Sequence, residues 1–226
     1  MKRKHIIFII ASVLLAGCSA SHEMMDPADS ERPVYGIPQE MAVTIKQDTN
    51  GTVFFENGKY GRIYPGENYP FEKQCRALGS LTIFAEEVPD YGHRCEVHWL
   101  EPIDAGRVYD ASFDASSAHN DGLDVNLSGG ITSVDDGYLT VHYSAWWGDP
   151  VSTPHEFSLV CIGDGEFSLL HNAKGDGTDV YSPGLVYFDI NALIPDTDGQ
   201  RVSVNISWIT TTGQTENKTF GFVSRK

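Results

Sequence analysis

The chain has 226 residues, with 31 Asp or Glu against 16 Lys or Arg, and a formal charge of −15. That balance repels polyanions, and no Lys/Arg cluster follows residue 4, so nucleic acid and anionic head groups are excluded as partners. The length suits one large or two small domains.

The chain opens on the basic run Met1 to His5, followed by an apolar stretch, Ile6 to Leu15. About ten apolar residues make a signal-peptide core and are too few to span a bilayer as a helix. Leu15-Ala16-Gly17-Cys18 resembles a bacterial lipobox. The resemblance implies cleavage before Cys18, diacylglycerol on its sulfur and acylation of its new amino group, which together anchor far better than one chain. Ser19 in place of aspartate is similar to the outer-membrane pattern of such lipoproteins. Residues 1–17 are thus expected as signal peptide. Losing Lys2, Arg3 and Lys4 takes the charge to about −18. Residues 18–40, polar and aperiodic, read as a lipid-anchored flexible tether.

Regular alternation starts with Val43 and Ile45 against Thr44 and Lys46. A turn at Asp48 to Gly51, a strand at Val53 to Phe55, a turn at Glu56 to Lys59 and a strand at Tyr60 to Tyr64 follow, the Asn-Gly pairs favouring positive φ. Two longer strands then flank an acidic turn near Val88 to Asp90. Leu81, Ile83 and Ala85 are predicted on one face, and Cys95, Val97 and Trp99 on one face of the return strand. This gives about five strands over 41–103. Residues 104–121 lose the alternation and read as a linker.

Beyond 122 the strands are more regular. Leu139, Val141, Tyr143 and Ala145 share a face against Tyr138, Thr140, His142 and Ser144, and five further short strands follow, separated by turns. That spacing predicts an antiparallel β-sandwich over 122–226, and the absence of any long 3.6-residue period makes the chain all-β. With Cys18 acylated, Cys75, Cys95 and Cys161 remain, enough for one bridge at most. Cys161 shares parity with Phe157 and Leu159 and reads as a core residue, while the predicted turn sets Cys95 opposite Ile83 rather than Cys75.

The segments "VDDGYLTVHYSAWW", "EFSLLHNAKGD", "SPGLVYFDI" and "VSVNISWITTTGQTENKTFGF" are similar to those of the NigD-like lipoproteins of Bacteroides and its relatives. The resemblance covers most of residues 123–224 and, more loosely, 42–103. It implies a small OB-like barrel followed by the sandwich. It carries no catalytic motif, and it brings an association with bacteriocin loci.

An OB-like barrel suits an oligonucleotide or oligosaccharide, but "FAEEVPDY" lies where nucleic acid would need basic residues. The barrel aromatics, Tyr91 and Trp99 among them, suit stacking on sugar or peptide, and equally a small barrel's core. Trp146 and Trp147 are neighbours on a strand and so point to opposite faces; Trp146, in phase with His142 and Ser144, is the candidate for an exposed platform. The alternative is that it packs beneath the Gly148-Asp149-Pro150 loop. Two Asp-rich segments, 176–179 and 196–199, lack the further acidic ligands of a calcium loop and read as turns. The histidines are scattered, and no HExxH or GxSxG motif occurs. The sequence therefore points to no catalytic residue, metal or cofactor. The expectation is a non-enzymatic envelope module that meets the membrane through its anchor and takes an envelope protein or glycan as partner. The alternative is a hydrolase acting on envelope glycan or peptide.

Overall fold

A computed structural model of the protein describes residues 33–67, 69–114, 118–148, 153–194 and 196–225. The expected signal peptide, Cys18 and most of the tether lie outside these residues. Five strands, β1 (Pro38–Gln47), β2 (Val53–Asn57), β3 (Gly61–Tyr64), β4 (Cys75–Val88) and β5 (Gly92–Pro102), close a barrel in the order β1-β2-β3-β5-β4. Every pairing is antiparallel except β3 with β5. Its interior is apolar: Val43, Phe55, Ile63, Ala77, Leu81 and Ile83 have no exposed surface. Pro38 to Glu40, expected in the tether, already pair with β4.

The turn at the end of β4 sets Ile83 opposite Cys95, as its position predicts. Cys75, Cys95 and Cys161 are all free thiols. Burial pushes the Cys95 thiol up to about 12. Two irregularities in the β4–β5 ladder correct the predicted faces. His98 is an extra residue between the pairs Leu81–Val97 and Ser80–Trp99, so Trp99 turns out to solvent and Leu100 packs against the core instead. The other lies between Ile83 and Glu87 and leaves Ala85 exposed.

Ten strands follow: β6 (Asp104–Ala105), β7 (Arg107–Tyr109), β8 (Asp124–Val125), β9 (Ser133–Asp135), β10 (Tyr138–Trp147), β11 (Glu156–Gly163), β12 (Glu166–Asn172), β13 (Val180–Asp189), β14 (Val202–Ile209) and β15 (Thr215–Phe222). One sheet runs β6-β13-β10-β8, with β9 also paired to β10; the other runs β15-β14-β12-β11-β7. The two share one core, to which Leu139, Val141, Tyr143 and Ala145 contribute from β10, and Leu159, Phe167, Leu169, Val204, Ile206 and Trp208 from the facing sheet. Cys161 is half-buried against this core.

The sheets are mixed rather than antiparallel throughout. The hairpins β11–β12 and β14–β15 are antiparallel, but β6–β13, β7–β11 and β12–β14 are parallel. Each parallel pair joins strands that are not chain neighbours, and alternation within a strand carries no information on the direction of a distant partner. Residues 104–109, within the stretch read as a linker, form β6 and β7 and cross from one sheet to the other at Gly106. A Cβ there would overlap the Phe188 ring.

The outer face of β10 is covered at its start. Thr140 is fully buried, and Arg76 of β4, also fully buried, donates from Nε to its Oγ1 at 3.0 Å and from Nη1 to Thr44 Oγ1 at 3.0 Å. Its Nη2 lies 2.6 Å from Asp135 Oδ1, and Lys46 Nζ lies 2.6 Å from Asp136 Oδ1. The polar face of β1 is therefore the seam between barrel and sheets.

Candidate binding site

β10 runs out of this seam, and its last two residues part. Trp146 is 43% exposed, whereas Trp147 is half-buried against the core. In register with Trp146 across the ladder is Tyr181 of β13, 46% exposed, with ring centroids 5.2 Å apart at 54°. The Tyr181 hydroxyl donates to Asp124 Oδ2 at 2.7 Å. Asp124 is fixed in turn by the Thr211 hydroxyl at 2.6 Å and the Thr211 N–H at 3.2 Å. Burial opposes the charge on Asp124, but these three hydrogen bonds together outweigh it and hold the carboxyl below its usual range. The same bond, with burial, raises the Tyr181 hydroxyl. An exposed Trp–Tyr pair is thus pinned by a carboxylate whose own partners lie on another turn.

On the other side of the strand, the Trp147 ring stacks on His155, with centroids 3.6 Å apart and planes at 4°. His171 Nδ1 donates to the Gly122 carbonyl at 2.7 Å, and its Nε2 lies 2.8 Å from His155 Nδ1. His155 Nε2 lies 3.3 Å from Asp176 Oδ2, which also accepts from Gly148 N–H at 2.8 Å. Burial lowers the His171 pKa, the bond to Gly122 opposing it, so neutral His171 accepts at Nε2 and His155 donates. Phe157 stacks on His171 at 5.0 Å and meets Tyr143 at 4.5 Å. Rings thus run in contact from Trp147 to Tyr143. The ring nitrogens of both histidines face partners within the protein. Among the described residues, no group of three or more His, Cys, Asp or Glu could hold a metal.

The barrel candidates lie apart from each other. Tyr91, in the turn before β5, stacks on Tyr64 at 5.2 Å and 25°, with its hydroxyl 3.3 Å from Thr52 Oγ1. Trp99 is 38% exposed and contacts no other ring among the described residues. A hollow of about 410 Å³ against Tyr69, Phe84, Arg94 and Val97 includes neither. Sequence reasoning missed Tyr181, Asp124 and Thr211, which are far apart in the chain and meet only through the ladder. It read His155 and His171 as scattered and the 176–179 segment as a turn. The apolar parity of β11 and β12, with Phe157 and His171 paired across it, was the available signal.

The model of the NigD-like C-terminal beta sandwich domain matches residues 109–222, half of the chain. Three solved structures are similar in fold. A protein described as toxin-related, from Parabacteroides distasonis, is 21% identical, covers 83% of this chain and 94% of its own, and has a TM-score of 0.64. A NigD-like immunity protein from Bacteroides caccae is 15% identical, with 84% and 99% covered and a TM-score of 0.56. A protein described as a lipoprotein, from Bacteroides fragilis, is 12% identical, with 84% and 100% covered and a TM-score of 0.58. No curated protein matches the chain. The matched half carries the segments on which the resemblance rests, together with β10 and its two tryptophans, and the chain belongs to the NigD-like family.

Proposed function

We propose that the protein is a non-enzymatic binding module of the cell envelope, held through acylated Cys18 in the outer membrane, with Trp146 and Tyr181 as its recognition surface. The observation that carries the reading is the fixing of this exposed pair through Asp124 and Thr211: ordering an aromatic before contact lowers the entropy cost of binding. Rigid aromatic anchors of this kind are the residues that dominate recognition surfaces. The lipobox supports anchorage, the chain meeting the barrel from Val34 on, and the fold shared with a protein described as a lipoprotein agrees with it. The five-stranded barrel with one parallel closure supports an OB-like N-terminal domain, and two sheets on one core support a sandwich behind it. The partner class is an envelope protein or glycan. The fold likeness to a NigD-like immunity protein makes a bacteriocin-linked partner a specific form of the same reading.

The test is covalent cross-linking and recovery of the full-length lipidated protein from intact cells, beside Trp146→Ala and Cys18→Ala. The expected result is one envelope component, lost in both variants, with Trp146→Ala as heat-stable as the parent. Retained capture by Trp146→Ala, or a large loss of its stability, overturns the role given to this face.

A further inference from the structure

β15 is the outermost strand of its sheet, and its eight residues pair with β14 on one side only. Among the described residues, no backbone hydrogen bond reaches it from elsewhere. The barrel is closed, and the other strands that end a sheet are short: β6 and β8 have two residues each and β7 has three. A short edge offers little backbone to a second strand, whereas a long one is a template for pairing. Thr215, Glu216, Asn217, Lys218 and Thr219 are all exposed. Glu216 and Lys218 lie opposite Trp208 and Ile206 of β14, so their side chains share one face. Neither has an ionic partner among the described residues.

We infer that this edge takes a second copy of the chain, β15 against antiparallel β15, about a two-fold axis through Asn217. Thr-Glu-Asn-Lys-Thr is its own complement in that arrangement: Thr215 faces Thr219, Glu216 faces Lys218, and Asn217 faces itself. The axis stands perpendicular to the sheet and keeps every side chain on its own face, so it must pass through a residue rather than between two. An axis at Glu216 would set two glutamates against each other, and one at Lys218 two lysines. Like charges directly opposite repel, and opposite charges attract. An axis at Thr219 would set Lys218 against the half-buried Phe220 and Glu216 against the buried Phe222. Of the axes through residues 215–219, only the one at Asn217 makes Glu–Lys pairs, and it makes two. A lysine on an edge ordinarily repels a neighbouring strand. Here the chain itself carries the answer two residues away, so the edge refuses strands that lack it. A ladder over residues 215–219 is a small interface, and the dimer it makes is weak and reversible.

The experiment is cysteine cross-linking of the full-length protein in intact cells under a mild thiol oxidant, with the initial rate of dimer formation read on non-reducing gels. In Asn217→Cys the two thiols face each other across the axis, with Cα atoms about 4.5–5.5 Å apart, within reach of a disulfide. In Thr219→Cys, as exposed and on the same face, the thiols are about 13 Å apart and should not join. The parent gives the background of Cys75, Cys95 and Cys161. Adding Glu216→Lys to Asn217→Cys should slow the reaction about tenfold, and adding Lys218→Glu as well should restore it. Trp146→Ala with Asn217→Cys should react as Asn217→Cys alone does, so failure of the outer aromatic face and failure of the edge are read separately. Cross-linking of Asn217→Cys no faster than the parent, equal rates for Asn217→Cys and Thr219→Cys, or no recovery on exchanging the two charges overturns the proposal.

Discussion

Arg76 on the barrel and Thr140 on β10 are both wholly buried and meet at 3.0 Å, so a guanidinium from one half of the fold is held by a hydroxyl from the other. Its charge is balanced 2.6 Å away by Asp135. Removing one partner of such a pair strands the other charge without water. Arg76→Ala should therefore cost about 3–5 kcal/mol in urea unfolding. Lys46→Met, where the lysine is partly open to water but leaves the buried Asp136 carboxylate behind, should cost less, about 1–3 kcal/mol. Equal losses in the two variants would mean that water reaches Arg76.

Acidification should loosen the loops around His171. Its pKa in the folded state lies below the ordinary 6.5, with burial the larger cause. The unfolded chain then binds more protons just below that value, so stability is full above about pH 6.5 and falls as the pH drops below it. One such group gives a slope of at most about 1.4 kcal/mol per pH unit. Urea midpoints between neutrality and pH 5 should fall in the parent and flatten in His171→Gln. A parallel fall in both would assign the effect elsewhere. Asp124, with its folded pKa below 3.8, adds its own loss only as the pH falls below that value.

Tyr181→Phe removes the hydroxyl that donates to Asp124 and leaves the ring in place. A stability loss of about 1 kcal/mol is expected, because Asp124 keeps both Thr211 donors. The near-ultraviolet dichroism of Trp146 should weaken as its neighbour gains freedom. An unchanged band would show that the ladder alone orders the pair.

Two glycines with the same φ of +78° should respond differently to alanine. At Gly92, where β5 joins β3, a Cβ would overlap the Arg62 carbonyl, whereas at Gly36 it would meet nothing within 4 Å. Gly36→Ala should cost about 1–2 kcal/mol, the left-handed penalty alone, and Gly92→Ala clearly more. Matching thermal midpoints for the two variants would contradict the close approach at the barrel closure.

What the sequence disclosed was local. Leu139 to Ala145 alternate with a period of two and fill the shared core, and the turn at residues 88–90 fixes Ile83 opposite Cys95. Trp99 could not be placed, because one extra residue at His98 reverses the phase and no propensity marks that position. Thr44 and Lys46 are polar enough for water, yet they lie against another part of the chain, which alternation alone cannot distinguish. The partners of Trp146 were hidden for the same reason: Tyr181, Asp124 and Thr211 arrive through non-local pairing.

Trp146 and Trp147 make β10 a party wall, with one occupant on the solvent side and another within. A one-residue insertion in that strand would exchange the two rings and evict both tenants at once. Replacing one side chain leaves the other ring on its own face, so the two sides can be altered singly by substitution but only together by a change of register.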